Sequence, residues 1–162
     1  MTETTGSSEQ KSAENPVFRM QKMYVKDFSF ENPNAPEVFL SGQGKEPHVE
    51  LNMKLNNRKI DEAHYEVAIE ISAKVTNKEE ADKVLFLLEV EHAGAFLIKN
   101  VPEKHLPAVL GVECPTLLFP FTRQIVSQIS VDGGFIPFLM EPINFMALFH
   151  NARKQAGESA EH

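Results

Sequence analysis

Cysteine occurs once in the 162 residues, at Cys114, so no disulfide can form within the chain. Basic residues are in the minority: Lys and Arg total 16 against 23 Asp and Glu, a formal charge of −7. Nucleic acid is met by clustered Lys and Arg, so this balance argues against nucleic-acid binding and suits a soluble protein or one with a basic partner. No apolar run approaches the ~20 residues of a membrane-crossing helix. The longest are GAFLI, TLLFPF and GGFIPFLM. The opening residues MTETTGSSEQKSAENP lack the basic-then-apolar pattern of a signal peptide, which predicts a cytoplasmic chain that does not insert into membranes. Neither GxxxxGK(S/T) nor GxGxxG occurs, so no loop is built to cradle a phosphate.

What is present is patterning. Hydrophobic residues make up 42% of the chain, enough for one domain with a sizeable core. Residues 1–15 and 155–162 are polar, and both are predicted to be disordered tails around a single domain spanning 16–154. Within the domain, period-two alternation marks four strands. The first places Phe18, Met20, Tyr24, Phe28 and Phe30 on one face, with Lys22 and Lys26 interrupting it and Met23 and Val25 opposite; a bulge or an edge strand follows from that conflict. In the second, Val49, Leu51, Met53 and Leu55 alternate with Glu50, Asn52, Lys54 and Asn56. The third opposes Tyr65, Val67, Ile69, Ile71, Ala73 and Val75 to Glu66, Ala68, Glu70, Ser72 and Lys74. The fourth opposes Val84, Phe86, Leu88 and Val90 to Leu85, Leu87, Glu89 and Glu91.

Short polar connections after Asn56 and Thr76 predict an antiparallel meander of the second to fourth strands. A short helical turn fits between Val101 and Leu110. Pro115 then suits the first position of a helix whose apolar face carries Leu117, Phe121, Ile125 and Ile129, with Leu118 beside them. Asp132-Gly133-Gly134 ends it. A second helix is predicted from Glu141-Pro142, with Phe145, Leu148, Phe149 and Ala152 on one side. The fold class is therefore α+β: a four-stranded antiparallel sheet followed by two helices.

Catalytic candidates are few. His64 and Glu66 share a strand face, as do Glu89 and Glu91, but an acid/base or metal site needs further convergent groups, and exposed face residues are the simpler reading. Cys114 before Pro115 at a helix start has the setting of a low-pKa thiol, against the plainer reading of a buried structural cysteine. No enzyme, cofactor or metal site is expected. Two surfaces stand out instead. The polar sheet face gathers Asp27, Glu31, Glu50, Glu66, Glu70, Glu89 and Glu91 around Leu85 and Leu87, against Lys54, Lys74 and Arg19. This is either an ordinary solvated face or a docking site for a basic amphipathic partner. The apolar face and the helices, rich in the 12 Phe and 6 Met, are either simple core or a surface that accepts varied apolar chains.

The runs YVKDFSFENPNAP (24–36), LFLLEVEHAGAF (85–96), LGVECPTLLFPFTRQ (110–124) and PINFMALF (142–149) closely resemble signatures of the SecB chaperone family, in that family's order and with compatible spacing. The resemblance implies a homotetramer, a dimer of dimers, that holds unfolded preproteins without nucleotide and delivers them to the SecA ATPase. It implies that the basic, zinc-containing C-terminal segment of SecA docks on Asp27, Glu31, Leu87 and Glu89, the zinc belonging to the partner. It further implies client binding in apolar grooves at Val49, Leu51, Met53, Phe86, Leu88, Val90, Phe121 and Phe149. A SecB-like chaperone for a dedicated non-secretory client, such as an antitoxin, and a small-ligand enzyme using His64 and Glu66 are the alternatives.

Overall fold

The computed structural model describes residues 14–41, 46–80 and 83–160. Four long strands, β1 (Val17–Glu31), β2 (Pro47–Lys59), β3 (His64–Asn77) and β4 (Val84–Lys99), form one antiparallel sheet in the order β1-β4-β3-β2. The meander of β2, β3 and β4 is as the polar turns predict, and β1 adds to β4 as an edge strand. A short helix α1 (Glu37–Leu40) interrupts the link from β1 to β2 and plants Val38 in the core. After β4 come α2 (Leu106–Ala108), a π-helical turn (Val109–Glu113), α3 (Cys114–Asp132) and α4 (Phe145–Ala160). Pro115 cannot donate to the carbonyl four residues back; the π turn just before it closes on a Cys114 N–H bonded to the Val109 carbonyl.

One sheet face is covered and the other is open. Partners across β2, β3 and β4 align Met53, Ile71 and Val90 in one row and Val49, Val75 and Phe86 in another. These rows pack beneath α3, whose deepest residues are Leu118, Thr122, Val126 and Ser130. The predicted helix face is therefore rotated by one residue: Leu117 and Phe121 are exposed, and Ile125 and Ile129 lie at the edge of the buried stripe. Two polar residues caused the difference, because each is satisfied internally. Thr122 donates to the Leu118 carbonyl (3.3 Å) and so accepts from the Nδ1–H of buried His92 at 2.8 Å. Ser130 donates to the Ser127 carbonyl (2.7 Å) and accepts from the Phe138 N–H (2.8 Å).

Three boundaries depart from expectation. The second main helix starts at Phe145, where the Asn144 side chain accepts the Ala147 N–H at 3.0 Å as an N-cap; Glu141-Pro142 stay outside it. That helix runs on through Ala160, across part of the segment expected to be disordered, because Ala, Arg, Lys and Gln sustain a helix after the last apolar contact. Residues 1–13 lie outside the described residues. The third departure is in β1, where pairing slips by one residue between Met20 and Lys22 and again between Val25 and Asp27. Between the two bulges the strand turns over, so Met23 and Val25 face the helices and Tyr24 faces outward, opposite to the face predicted for it.

Candidate functional site

The open face is built in rows. Asp27, Glu91, Glu70 and Lys54 align across the four strands, then Ser29, Glu89, Ser72 and Asn52, then Glu31, Leu87, Lys74 and Glu50. The first two rows border a shallow depression lined by Asp27, Asn52, Lys54, Glu70, Ser72, Glu89 and Glu91. Like charges directly opposite, as at Glu70 and Glu91, repel and raise the negative potential of the face. Among the described residues no ion pair neutralises Asp27, Glu31, Glu70 or Glu89. Asp27, Glu31 and Glu89 are exposed, and half-buried Leu87 sits opposite Glu31, so the four residues expected to dock a partner share one face.

Two residues assigned to this face behave otherwise. Leu85 lies next to the register shift at the start of β4, packs on the core and lines a groove with Phe86 and Phe135, so it is not an exposed leucine of the acidic field. Glu66 points outward but is only 5% exposed. Its carboxylate accepts the Tyr24 hydroxyl at 2.5 Å, Lys26 Nζ at 2.9 Å and Arg58 Nε at 3.1 Å. Burial alone pushes its pKa up, and these three hydrogen bonds overturn that effect, holding it at about 2. The Tyr24 phenol moves the other way, to about 12, through burial and then the Glu66 bond.

That cluster also dissolves the lead for acid/base chemistry. His64 does not meet Glu66; its Nδ1 lies 2.8 and 2.9 Å from the Asp61 carboxylate oxygens at the β2–β3 turn. Asp61 is held below its ordinary range, first by the Ala63 N–H and then by His64. Cys114 is fully buried and its thiol is pushed up to about 12 by burial and then by Glu113, the reverse of a reactive thiol. No cluster of metal-ligating side chains occurs among the described residues.

The covered face ends in an apolar groove of about 240 Å³ between the β2 side of the sheet and the extended segment 135–139. Its walls are Val38, Val49, Val75, Leu85 and Phe86 on one side and Phe135, Ile136 and Phe138 on the other. Of the residues expected to hold clients, Val49 lines it, and Leu51 and Met53 continue its edge along β2 with partial exposure. Phe86 reaches it but is 3% exposed, stacked on Phe30 and tilted against Phe135 with centroids 5.5 and 5.0 Å away. Leu88 and Val90, 1% and 3% exposed, belong to the core, because β4 is an inner strand roofed by α3. Phe121 lies outside the groove, exposed on the side of α3 away from the sheet. Phe149 lines a separate open depression with Tyr65, Ile98, Leu106 and Leu110. The residues missed in the sequence are Phe135 and Phe138. They lie in the apolar run GGFIPFLM, whose extended conformation brings its aromatic rings back over β4.

One sheet face is thus open and acidic, and the other ends in an apolar groove. A family model described as "Preprotein translocase subunit SecB" matches residues 11–156. The protein-export protein SecB of Desulfotalea psychrophila is 65% identical over 149 residues, covering 92% of this chain and 94% of that protein. That of Magnetococcus marinus is 46% identical over 143 residues, 88% of each chain. Among solved structures, the SecB-like chaperone of Mycobacterium tuberculosis, bound to a peptide of the HigA1 antitoxin, superposes with a TM-score of 0.63 at 17% identity, covering 78% of this chain and 90% of that one. The chain belongs to the SecB family of preprotein translocase subunits and has its fold. It is a protein-export chaperone, and binding unfolded client proteins is the activity of that family.

Proposed function

We propose that this chaperone holds unfolded preproteins without ATP in the cytoplasm and passes them to the SecA motor, using opposite faces of one sheet for the two tasks. The observation that carries the reading is the separation of surfaces. Apolar groove walls lie on the helix side, and exposed acids without ion pairs among the described residues lie on the other. A client in the groove and a basic partner on the open face then do not compete for the same atoms.

Asp27, Glu31 and Glu89 attract the basic, zinc-containing C-terminal segment of SecA, and Leu87 gives it an apolar contact. The zinc stays with SecA. On the other face, Val49, Leu51 and Met53, with Phe86 at the groove wall, take apolar client side chains. The β2 edge offers unpaired backbone groups to an extended segment, which demands no particular client sequence. Several such contacts on one chain raise affinity through effective concentration.

A second copy covers what one subunit leaves exposed. On β1, an edge strand, Phe18, Val25 and Phe28 face the helix side at 38%, 47% and 43% exposure, and Leu117 and Phe121 are exposed on α3. Pairing along β1 and packing along α3 are two distinct contacts, which is what a dimer of dimers requires. Phe121 then serves assembly or a groove completed by the neighbouring subunit.

The test uses the purified protein with a denatured secretory precursor. The native chain delays aggregation without nucleotide, and Glu89→Lys abolishes most binding of the zinc-loaded SecA segment while the delay persists. Equal loss of both activities would make the face structural rather than a dock, and absence of any delay would end the holdase reading. Light scattering at four times the chain mass supports the tetramer.

A further inference from the structure

The buried carboxylate of Glu66 has a place in the architecture that the docking residues do not explain. Pairing of β1 with β4 runs in three registers. Phe18 opposes Ile98 and Met20 opposes Phe96; Lys22 opposes Ala95 and Tyr24 opposes Ala93; Asp27 opposes Glu91 and Glu31 opposes Leu87. Each bulge advances β1 by one residue. Had β1 kept its first register, Asp27 would stand opposite Glu89 and Glu31 opposite Leu85. Asp27, Ser29 and Glu31 would still face outward, but each would be displaced along β4, and Lys22, Tyr24 and Lys26 would turn to the covered face. Glu31 would lose its place beside Leu87.

Alternation over 22–26 favours a turned-over segment, but over 27–31 it does not distinguish registers that differ by two residues, so something must fix where the acids come to rest. Glu66 reaches it from β3. Tyr24, the last outward residue before the second bulge, gives Glu66 its hydroxyl at 2.5 Å. Lys26, the bulged residue itself, gives Nζ at 2.9 Å and lies 3.8 Å from Glu91. Arg58 of β2 completes the set at 3.1 Å. Alanines make the reach possible: Ala93 and Ala95 of β4 and Ala68 of β3 occupy the outward positions between Tyr24 and Glu66, where larger side chains would block the phenol. Sliding β1 back would strip a carboxylate that is 5% exposed of two of its three partners, a heavy cost for a buried charge.

We infer that Glu66, through Tyr24 and Lys26, sets the register of β1 and thereby positions Asp27 and Glu31 beside Leu87 and Glu91 for a basic partner. This rests on the docking reading above for its consequence, though not for the register itself. Glu66 touches no partner in this scheme; it is a positioning residue.

Disulfide trapping reads the register directly, with buried Cys114 out of reach. Ser29→Cys with Glu89→Cys pairs only in the observed register; Ser29→Cys with Leu87→Cys pairs only in the displaced one. Introducing Glu66→Gln or Tyr24→Phe is expected to lower the first yield several-fold and raise the second. Tyr24→Phe matters because it leaves net charge unchanged and removes one hydroxyl from a half-buried ring. In otherwise native chains, both substitutions are expected to weaken the zinc-loaded SecA segment by about tenfold while leaving client holding intact. Unchanged cross-link yields in both backgrounds overturn the inference, and so does a loss of segment binding confined to Glu66→Gln, which charge alone would explain. If Glu89→Lys binds the segment as tightly as the native chain, the docking reading fails while the cross-link result still decides the register.

Discussion

Replacing Glu66 with glutamine gives a stability difference whose dependence on pH follows from the cluster around it. Burial pushes the carboxyl up, but hydrogen bonds from Tyr24, Lys26 and Arg58 bring it from 4.5 down to about 2. The gap of 4.5 − 2 = 2.5 units, at 1.36 kcal/mol each, corresponds to ~3 kcal/mol of stability at neutral pH. Lys26 and Arg58 side chains are 34% and 61% exposed, so solvent screens their share and ~2 kcal/mol is the better expectation. Because the folded value is depressed, the contribution is complete above about 4.5 and is lost as pH falls toward about 2. Urea unfolding at fixed protein concentration should show Glu66→Gln less stable than the native chain at pH 7. The two curves should close up through the acid range and meet near pH 2. The phenol supplies the alkaline counterpart. Tyr24 rises from 10.0 to about 12, so its contribution is intact below 10 and is lost as pH climbs toward 12, a dependence that Tyr24→Phe removes. A deficit for Glu66→Gln that stays constant from pH 7 to pH 2, or no deficit at pH 7, would mean that the cluster does not hold the carboxylate charged.

Three further outcomes follow from packing. Leu118→Ala empties a fully buried position between α3 and the sheet and should cost ~2–5 kcal/mol in chemical unfolding. Gly133→Ala would bring a Cβ to 2.3 Å from Phe30 Cζ, so the ring must move; a loss of ~1–3 kcal/mol is expected in thermal unfolding, with Gly134, at φ +90, still able to make the turn. Cys114 should resist a thiol reagent in the native protein and react stoichiometrically once the chain is unfolded, since burial holds the thiol at about 12.

Much of the sheet was legible because alternation is a local signal. Val49 to Leu55, Tyr65 to Val75 and Phe86 to Val90 each declare one apolar face, and the charged turns between them require antiparallel neighbours; Val84, predicted with Phe86, pairs with Thr76 across the register shift and falls in the other phase. The acidic face was legible for the same reason: Glu89 occupies the opposite phase of a strand with one apolar side, and Asp27 and Glu31 lie in the part of β1 beyond its second bulge, where Phe28 and Phe30 mark the covered side. Helix α3 was placed along the chain but not about its own axis. A hydrophobic pattern favours Leu117 and Phe121, whereas Thr122 and Ser130 are buried because each finds its hydrogen bonds inside.

The apolar groove was less legible than the acidic face. Leu88 and Val90 carry the same strand signal as Val49 and Met53, yet the edge strand β2 keeps its apolar face partly open while α3 roofs the inner strand β4. Nor does any local pattern reveal that residues 135–139 fold back so that Phe135 and Phe138 wall the groove. By itself, then, the sequence determined the four strands, which face is polar, the absence of nucleotide motifs and the family to which the chain belongs. Tertiary structure decided the double bulge of β1, the burial of Glu66 beneath Tyr24, Lys26 and Arg58, and which apolar residues remain exposed. The division has a physical cause: phase along a strand depends on neighbours two residues apart, whereas register and exposure depend on partners brought together from distant parts of the chain.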